Sequence, residues 1–338
     1  MMRQKRRTCR KKNSPALIAI FLLLVIGAGM FSIYSWERKQ QKEDAAIVDA
    51  LPIEMDEVPE RELIIDGKKH TIREGIETFL ILGLDKYEED ISDPDSYNNN
   101  QQSDFILLMV IDSRNGDCFG IQINRDTMTD IPRLGVGGIR IGTKFAQLAL
   151  AYTYGSGGRD SCNNTAEAVS RLLCGVPIDH YVSLTMDAVS IINDLVGGVK
   201  VWIEDDFSNT DSSMIQGTWM TLSGKQALTF IRSRMSMQDS SNLARMKRQR
   251  VYLNALYEQV LSRLEDDDRF AWKLASELSD YTISDFTASE LSSFVDRLKG
   301  YSYQSIDPII GEARKGDLYI EFYPDEDAMG KLLLEKLC

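Results

Sequence analysis

The stretch "SDFILLMVIDSRNGDCFGIQINRD", Ser103 to Asp126, contains two apolar, β-branched runs separated by turn residues. Runs of this length and composition, bounded by turn formers, predict two buried strands, "SDFILLMVID" and "CFGIQIN". The upstream run "IETFLILGLD" has the same composition and ends at Asp85. We therefore predict three buried strands in this part of the chain, joined by polar segments.

Downstream of these strands, helical and strand-like patterns alternate. Helical spacing of apolar residues occurs in "TKFAQLALAYTYG", "NTAEAVSRLL" and "DAVSIINDLVGG", and strand-like runs in "IDHYVSL" and "VKVWIED". Ser223 followed by Gln226 predicts a capping box at the start of another helix, and a long helix is expected from about Ser241 to Glu265. This alternation predicts an α/β fold, with a central mixed β-sheet flanked by helices.

The N-terminus has the composition of a membrane anchor. Residues 3–12 carry seven positive charges and no acid, and Pro15 to Trp36 then runs without a charge. About 20 apolar residues in a helix cross a bilayer core of about 30 Å. The basic flank should stay in the cytoplasm, and Tyr34 and Trp36 suit the outer interface. A cleaved signal peptide is the alternative, but the run is long for one and no A-x-A site follows it.

These patterns divide the chain into segments of different character. The residues after 265 are expected to form helices with one short strand, "LYIEFY". The predicted segments are a cytoplasmic basic tail (1–14), a transmembrane helix (15–36), an extracytoplasmic stalk (37–75), the main folded domain (76–265) and a C-terminal helical extension (266–338).

Charge and composition exclude several functions. The chain carries a net charge of −12, which becomes −19 for residues 13–338 once the seven positive charges of the tail are set aside. Such an acidic ectodomain does not attract nucleic acid or anionic lipid nonspecifically. With only His70 and His180, a His-rich metal site is nearly excluded. The sequence has no GxxxxGK[ST], no GxGxxG after a strand and no GxSxG, so nucleotide-dependent phosphoryl transfer and triad hydrolysis lack support.

The cysteines leave one question open. Cys162 and Cys174 flank a single predicted helix and could pair outside the cell, although free buried thiols are an equal alternative. Because no CxxC occurs, a zinc site has no support.

Carboxylates lie at or beside the ends of the predicted strands. These residues are Asp85, Asp104 and Asp126. In open α/β sheets, ligands bind at the carboxyl edge of the strands. Two or three carboxylates that converge there could hold a hard cation such as Mg²⁺. Each of them alone would more often be a cap or turn residue.

Arginines are concentrated in one stretch. Phe230 to Arg250, "FIRSRMSMQDSSNLARMKRQR", holds six basic residues and one acid. Arg245 and Arg248 are three apart and share a helix face, whereas Arg232 and Arg234 are two apart and do not. Arginine binds phosphate through a planar, permanently charged fork, and several arginines with a divalent cation neutralise a polyphosphate. The alternative is a solvated basic helix face.

The order and spacing of eight motifs resemble the LytR-CpsA-Psr family over about residues 75–260. The motifs are "LGLD", "SDFILLMVID", "INRDTMTDIP", "AYTYGSGG", "IDHYVSL", "LVGGVKV", "LSGKQALTFIRSR" and "ARMKRQR". The resemblance implies an α/β/α fold with a deep apolar tunnel for a polyprenyl lipid. It also implies Mg²⁺-dependent transfer of a glycan phosphate from a polyprenyl pyrophosphate onto peptidoglycan or a similar wall acceptor. "FAQLALAY" and "AVSIINDLV" could line the tunnel, although ordinary core helices are the alternative.

The resemblance also implies roles for particular residues in the folded domain. Asp85 and Asp104 match the carboxylates on the metal side, and Arg125 and Asp126 match an Arg-Asp pair after the third strand. All four are implied to be catalytic. The residues implied to bind the pyrophosphate are Arg125, Arg232, Arg234, Arg245, Arg248 and Gln249. The implied location is the cell membrane of a Gram-positive-type envelope, with the N-terminus cytoplasmic and the catalytic domain outside.

Three positions depart from the family pattern. Tyr87 and Gln102 stand where arginines are common, and Asn242 stands where an aspartate is common. Asn242 removes one candidate general base, which leaves Asp126, Asp239 or an acceptor that needs little base assistance. Two other functions stay open: hydrolysis of the same pyrophosphate by water, and non-enzymatic binding or scaffolding of wall polymers. A transcriptional regulator fits poorly, because a dozen cytoplasmic residues are too few for a DNA-binding module.

Overall fold

A computed structural model of the chain describes residues 61–85, 101–134, 139–234, 241–267, 269–286 and 301–338. The predicted transmembrane helix at 15–36, the basic tail and the stalk up to residue 60 lie outside these described residues. No helix within the described ranges combines the length and the apolar character needed to cross a bilayer.

The strands and helices follow one another in a mixed order. The strands are β1 (Glu62–Ile65), β2 (Lys68–Thr71), β3 (Ile76–Leu84), β4 (Ser103–Asp112), β5 (Asp117–Ile123), β6 (Met128–Leu134), β7 (Arg140–Gln147), β8 (His180–Thr185), β9 (Val199–Trp202), β10 (Trp219–Leu222), β11 (Thr282–Ser284), β12 (Ser302–Pro308), β13 (Gly311–Lys315) and β14 (Ile320–Pro324). The α-helices are α1 (Leu150–Thr153), α2 (Gly158–Leu172), α3 (Met186–Leu195), α4 (Gly224–Arg232), α5 (Asn242–Asp266), α6 (Phe270–Leu278) and α7 (Glu326–Leu337).

A six-stranded sheet in the order β11-β8-β3-β4-β5-β12 forms the centre of the domain. β3 pairs antiparallel with β4 and parallel with β8, and β12 runs parallel to β5, so the sheet is mixed as predicted. The three predicted strands are β3, β4 and β5, and they occupy consecutive positions. Most residues on both faces of β3 and β4 are buried, which explains their near-continuous apolar sequence.

Helices cover both faces of this sheet. On one face, Leu80 and Leu108 pack in a core that includes Val169 of α2 and Leu333 of α7. On the other face, α3 and α5 lie over the sheet and share a second core with α4 and α6. The helix α4 begins with the predicted capping box at Ser223, and α5 begins after Ser241 as predicted.

The helix predicted for "TKFAQLALAYTYG" is wrong over most of its length. Residues 140–147 form β7, which pairs antiparallel with β6, and only the four-residue α1 at 150–153 is helical. The side chains of Ile141, Thr143 and Phe145 recur at every second position of β7. This spacing is that of a strand, not of the predicted helix. Pairing with β6 supplies the backbone hydrogen bonds that a helix would otherwise provide.

The C-terminal segment 266–338 is not a separate helical extension. It contributes both edge strands of the central sheet, β11 and β12, and the hairpin β13–β14, which includes the predicted strand "LYIEFY". Helix α7 packs Leu333 and Leu337 into the first core, where both are fully buried. The end of the predicted stalk also belongs to the domain, because Leu63 of β1 is buried in the same core.

Cys162 and Cys174 are both free thiols in this structure, so the predicted alternative of a disulfide does not hold. Burial raises the pKa of the Cys162 thiol to about 11, which keeps it protonated and unreactive at neutral pH.

The integration of α7 into the core leads to a stability prediction. We expect Leu333→Ala to lower the free energy of unfolding by about 2–5 kcal/mol, because it leaves a cavity in a packed core. Urea denaturation followed by circular dichroism measures this change. Lys331→Ala, on the exposed side of the same helix, is the matched control. Equal effects of the two substitutions would show that α7 does not belong to the cooperative core.

Candidate active site

One carboxylate joins two arginines at the centre of the site. Asp104 lies near the start of β4, two residues before the first pair of the β4–β5 ladder, Ile106 with Ile123, and Arg125 lies two residues beyond it. The Arg125 guanidinium forms an ion pair with Asp104 Oδ1, and Arg245 Nη1 of α5 lies 3.2 Å from Asp104 Oδ2. Arg245 Nη2 also donates to the Asp104 main-chain oxygen at 3.4 Å. A single negative charge therefore faces two largely buried positive charges.

Arg232 and Arg234 add positive charge to this cluster. Burial and, after it, the charge of Arg234 lower the pKa of Arg245 to about 10. Burial also lowers the pKa of Arg125 to about 10, an effect that Asp126 opposes and that Arg245 and Arg234 reinforce. Both guanidiniums stay protonated at neutral pH. The four arginines outnumber the three carboxylates near them, Asp85, Asp104 and Asp126. Such an excess of guanidinium charge favours an anion, and arginine suits phosphate.

Asp126 is buried beside this cluster and is held from several sides. Its Oδ1 accepts a hydrogen bond from Gln147 Nε2 at 3.2 Å and lies 3.4 Å from Arg125 Nε. Burial raises the pKa of Asp126 above its usual value, and the charges of Arg125, Arg245 and Arg234 oppose this rise. A carboxylate with a raised pKa is suited to accept a proton.

The C-terminal hairpin fixes the backbone around Asp126. The Phe322 main-chain N–H of β14 donates to the Asp126 carbonyl at 2.9 Å. Gln147 Nε2 donates to the Ile320 carbonyl at 2.8 Å as well as to the Asp126 side chain. The segment expected to be an appendage therefore forms part of the wall of the site.

Two asparagines orient each other next to Asp126. The Asp126 main-chain N–H donates to Asn124 Oδ1 at 2.9 Å, so this oxygen is an acceptor. Asn242 must then donate through Nδ2 to the same oxygen, and its own Oδ1 faces the other way. That Oδ1 is buried and has no hydrogen-bond partner among the described residues. Asn242 thus offers a buried acceptor, and as a neutral amide it is not a base.

Arg248 and Gln249 hold the backbone that carries Arg232 and Arg234. Arg248 Nε donates to the Phe230 carbonyl at 3.0 Å, Nη2 donates to the Ser233 carbonyl, and Nη1 lies 2.7 Å from Asp205 Oδ2. Gln249 Nε2 donates to the Ile231 carbonyl at 3.5 Å. Each nitrogen of the Arg248 guanidinium thus already has a protein acceptor. In this structure the two residues clamp the end of α4, whereas Arg245 faces Asp104.

Asp85 follows β3 at the same edge of the sheet. Its Oδ1 accepts from the Gln102 main-chain N–H at 2.9 Å, and Gln102 Oε1 accepts from Arg125. Within the described ranges, no group of three or more His, Cys, Asp or Glu side chains could by itself hold a metal ion. Mg²⁺ usually needs only one or two carboxylates when phosphate oxygens complete its coordination. Asp85 follows β3 and Asp104 lies on the neighbouring strand β4, where both of its carboxylate oxygens face guanidiniums in this structure.

An apolar cavity lies next to the charged cluster, between the sheet and helices α3 and α5. Its volume is about 100 Å³. The lining residues are Ile81, Gly83, Phe105, Leu184, Thr185, Met186, Val189, Ile192, Ile231, Gln249, Tyr252, Leu253 and Leu256. Of the two segments expected to line a tunnel, "AVSIINDLV" contributes Val189 and Ile192 to the lining of this cavity. The other, "FAQLALAY", packs Ala146, Leu148 and Ala151 into the core on the opposite face of the sheet.

Three amide side chains of the site, Gln122, Asn124 and Gln147, were not predicted from the sequence. Gln122 Nε2 donates to Gln249 Oε1 at 3.2 Å, and Gln102, Asn124 and Gln147 each contact a charged residue or its backbone. Two of them could have been found from the sequence. Gln122 and Asn124 are polar residues in an otherwise apolar strand. Because an unpaired buried polar group is costly, their presence predicts hydrogen-bond partners there.

A buried arginine–carboxylate cluster at one end of an apolar cavity defines an α/β protein suited to an amphiphile with an anionic head. The LytR_cpsA_psr family model matches residues 37–329. The chain belongs to this family.

Characterised relatives and solved structures agree with this assignment. The chain is 31% identical over 248 residues to "Polyisoprenyl-teichoic acid–peptidoglycan teichoic acid transferase TagU" of Oceanobacillus iheyensis, covering 72% of this chain and 68% of the relative. It is 25% identical over 330 residues to the corresponding transferase TagV of Bacillus subtilis, covering 94% of this chain and 75% of the relative. The solved structure "TagT bound to LIIa-WTA" has a TM-score of 0.57 at 19% identity, covering 78% of this chain and 89% of that one, and shows the same fold.

The shared carboxylate leads to a second prediction. We expect Asp104→Asn to lower the free energy of unfolding by about 3–5 kcal/mol, because it removes the carboxylate that pairs with Arg245 and leaves Arg125 with Asp126 alone. Asp130→Asn, at an exposed position of β6, is the control. Denaturation in urea gives both values. A loss no larger for Asp104→Asn than for Asp130→Asn would mean that the arginines do not depend on this carboxylate.

Proposed function

We propose that this chain is a phosphotransferase that moves a glycan phosphate from a polyprenyl-pyrophosphate carrier onto peptidoglycan or another wall acceptor. The observation that carries the proposal is the position of the apolar cavity: Ile231 and Gln249 line it, and both adjoin the arginine cluster. A lipid tail and a pyrophosphate head need these two environments side by side. The names of the relatives, which are transferases acting between a polyisoprenyl carrier and peptidoglycan, support the same reaction.

In the proposed complex, the pyrophosphate lies among Arg125, Arg232, Arg234 and Arg245. It carries more negative charge than a carboxylate, so it competes with Asp104 for the guanidiniums that Asp104 now binds. Arginines that neutralise the transferred phosphoryl group and the leaving group lower the barrier to transfer. Mg²⁺ held by Asp85, Asp104 and phosphate oxygens would supply further neutralising charge when bound.

The reaction needs one proton transfer and no nucleotide. The acceptor hydroxyl oxygen forms a bond to the phosphorus on the glycan side of the pyrophosphate. The bond from that phosphorus to the bridging oxygen breaks, and the electron pair leaves with polyprenyl phosphate. We assign the hydroxyl proton to Asp126, whose carboxylate Gln147 and Arg125 orient. Gln147 acts as a positioning residue in this scheme.

The proposal includes a membrane anchor at residues 15–36, with the catalytic domain outside the cell. Its support is the uncharged run that follows seven positive charges in residues 3–12, together with a lipid-linked donor that stays in the membrane. An anchored enzyme remains near such a substrate.

A transfer assay tests the proposal directly. The full-length chain in detergent is incubated with a polyprenyl-pyrophosphoryl glycan and peptidoglycan, with and without Mg²⁺. We expect glycan bound to peptidoglycan and release of polyprenyl phosphate, both dependent on Mg²⁺. Free glycan phosphate with or without peptidoglycan would instead identify a hydrolase. Intact donor after prolonged incubation would favour a wall-polymer binding protein.

Arg245→Met should lower kcat/KM for transfer by about 100-fold or more, because it removes one preorganised charge from the phosphoryl site. Lys247→Met is the matched control on the same helix, since Lys247 is exposed and pairs with Glu204. Initial rates of polyprenyl phosphate release compare the two variants. Similar losses in both would contradict a specific role for Arg245.

Gln147→Leu should move the acid limb of the kcat–pH profile to higher pH. The hydrogen bond from Gln147 Nε2 favours the ionised form of Asp126. Removing it raises the pKa of Asp126 further. Activity is therefore lost at a higher pH than in the wild type. Gln216→Leu, at an exposed position, is the control. If Gln147→Leu lowers the rate equally at every pH, Asp126 is not the group whose ionisation limits the reaction.

A further inference from the structure

Two exposed tryptophans lie side by side on the two-stranded ribbon β9–β10. Trp202 and Trp219 are directly opposite each other in the antiparallel register. Their ring centroids are 5.7 Å apart, and the ring planes are inclined by 66°. Trp202 is 42% exposed and Trp219 is 62% exposed. The pair therefore presents a large aromatic surface to water.

Burial does not account for these two side chains. The inward face of the ribbon places Val199, Val201 and Leu222 in the second core. The tryptophans lie on the outward face, which suits polar residues on a ribbon of this kind. A cross-strand aromatic pair stabilises a ribbon, but it does so without needing two of the largest side chains. Their exposed rings indicate a contact with a ligand.

A groove of about 430 Å³ runs beside Trp202, between the ribbon and helix α5. Leu243 and Val251, both exposed, line it from α5. Phe230 and Arg248 also line it, and Arg248 donates to the Phe230 carbonyl. The groove thus adjoins the end of α4, the segment that carries the arginines of the site.

The charges in this groove nearly cancel. Lys247 Nζ lies 2.7 Å and 2.6 Å from the two carboxylate oxygens of Glu204, and Arg248 Nη1 lies 2.7 Å from Asp205 Oδ2. Only one further cation, Arg250, lines the groove. Nucleic acid or an anionic membrane needs a strong positive field, which this groove lacks. Its exposed ion pair instead offers hydrogen-bond donors and acceptors beside an aromatic wall.

An aromatic wall with polar groups at its edge matches the chemistry of a sugar. A pyranose ring carries C–H groups on its faces and hydroxyls around its rim, so it stacks on indole and donates to carboxylates. Aromatic side chains supply such contact area at a low cost in conformational entropy. Lys200 Nζ lies 5.9 Å from the centroid of the Trp219 ring, and this cation–π contact holds the ring before a ligand arrives.

Resting on the proposed action on a wall glycan, we propose that Trp202, Trp219 and the groove beside them bind a segment of glycan chain. The pyranose faces stack on the two indoles, and the hydroxyls bond to Glu204 and Lys247. Lys247 lies about 200° around α5 from Arg245, so this site and the arginine cluster are on opposite faces of one helix. A glycan held at both places has a higher effective concentration of its reacting end at the phosphoryl site.

Calorimetric titration of the full-length chain in detergent tests this site. The probes are peptide-free glycan strands from peptidoglycan, which represent the acceptor, and the donor glycan freed of its lipid and pyrophosphate. We expect at least one probe to bind, and the probe that binds identifies the source of the segment. Trp202→Ala and Trp219→Ala should each raise its Kd about tenfold or more. Ile215→Ala is the matched control, because Ile215 is 61% exposed on the loop that joins the same two strands.

The outcomes separate binding from folding. Trp202→Tyr keeps an aromatic face and should recover most of the affinity that Trp202→Ala loses, and urea denaturation of each variant measures its stability. Loss of stability with an unchanged Kd would show that the pair only braces the ribbon and would overturn the proposal. Binding of neither probe, or an equal loss in Ile215→Ala, would also overturn it. Binding without glycan transfer would count against the proposed reaction and leave the glycan site standing.

Discussion

The ion pairs of Asp104 are the interaction on which the site depends. One carboxylate lies between the guanidiniums of Arg125 and Arg245, which come from a strand end and from a helix on one side of the sheet. Without it, the repulsion between these buried cations would oppose the packing of α5 on the sheet. Asp104 compensates only part of the positive charge at the site, because Arg232 and Arg234 lie close by. The domain therefore folds with an excess of positive charge at one point of an otherwise acidic surface, and an anionic ligand completes the balance.

The positions of the charged residues could be predicted from the sequence because strand ends are marked locally. Asp85, Asp104 and Arg125 each adjoin an apolar run, and the strands formed where those runs are. The edge strands β11 and β12 could not be predicted, because their pairing partners are far away in the sequence. Local periodicity carries no information about such long-range pairing. The hairpin strand β7 was missed for a related reason, since its partner β6 decides between helix and strand.

The separate roles of Arg245 and Arg248 could not be predicted from the local sequence either. Their spacing on one face of α5 suggests one shared role, yet their partners differ. Arg245 faces a carboxylate on the sheet, whereas Arg248 donates to the Phe230 and Ser233 carbonyls at the end of α4. Carbonyls at a helix C-terminus lack partners within the helix, and a guanidinium satisfies several of them at once. Such a role depends on where another helix ends, which no spacing within α5 reveals.

The contact between β14 and Asp126 has a consequence for how the protein is made. The Phe322 N–H donates to the Asp126 carbonyl, and the Arg73 N–H donates to the Leu337 carbonyl, so segments far apart in the sequence are in contact. Contacts between such distant parts of a chain form late and slow its folding. Asp126 gains this backbone partner only after the chain has been synthesised beyond Phe322. A nascent or truncated chain would thus carry all the charged residues of the site and still lack the support that fixes Asp126.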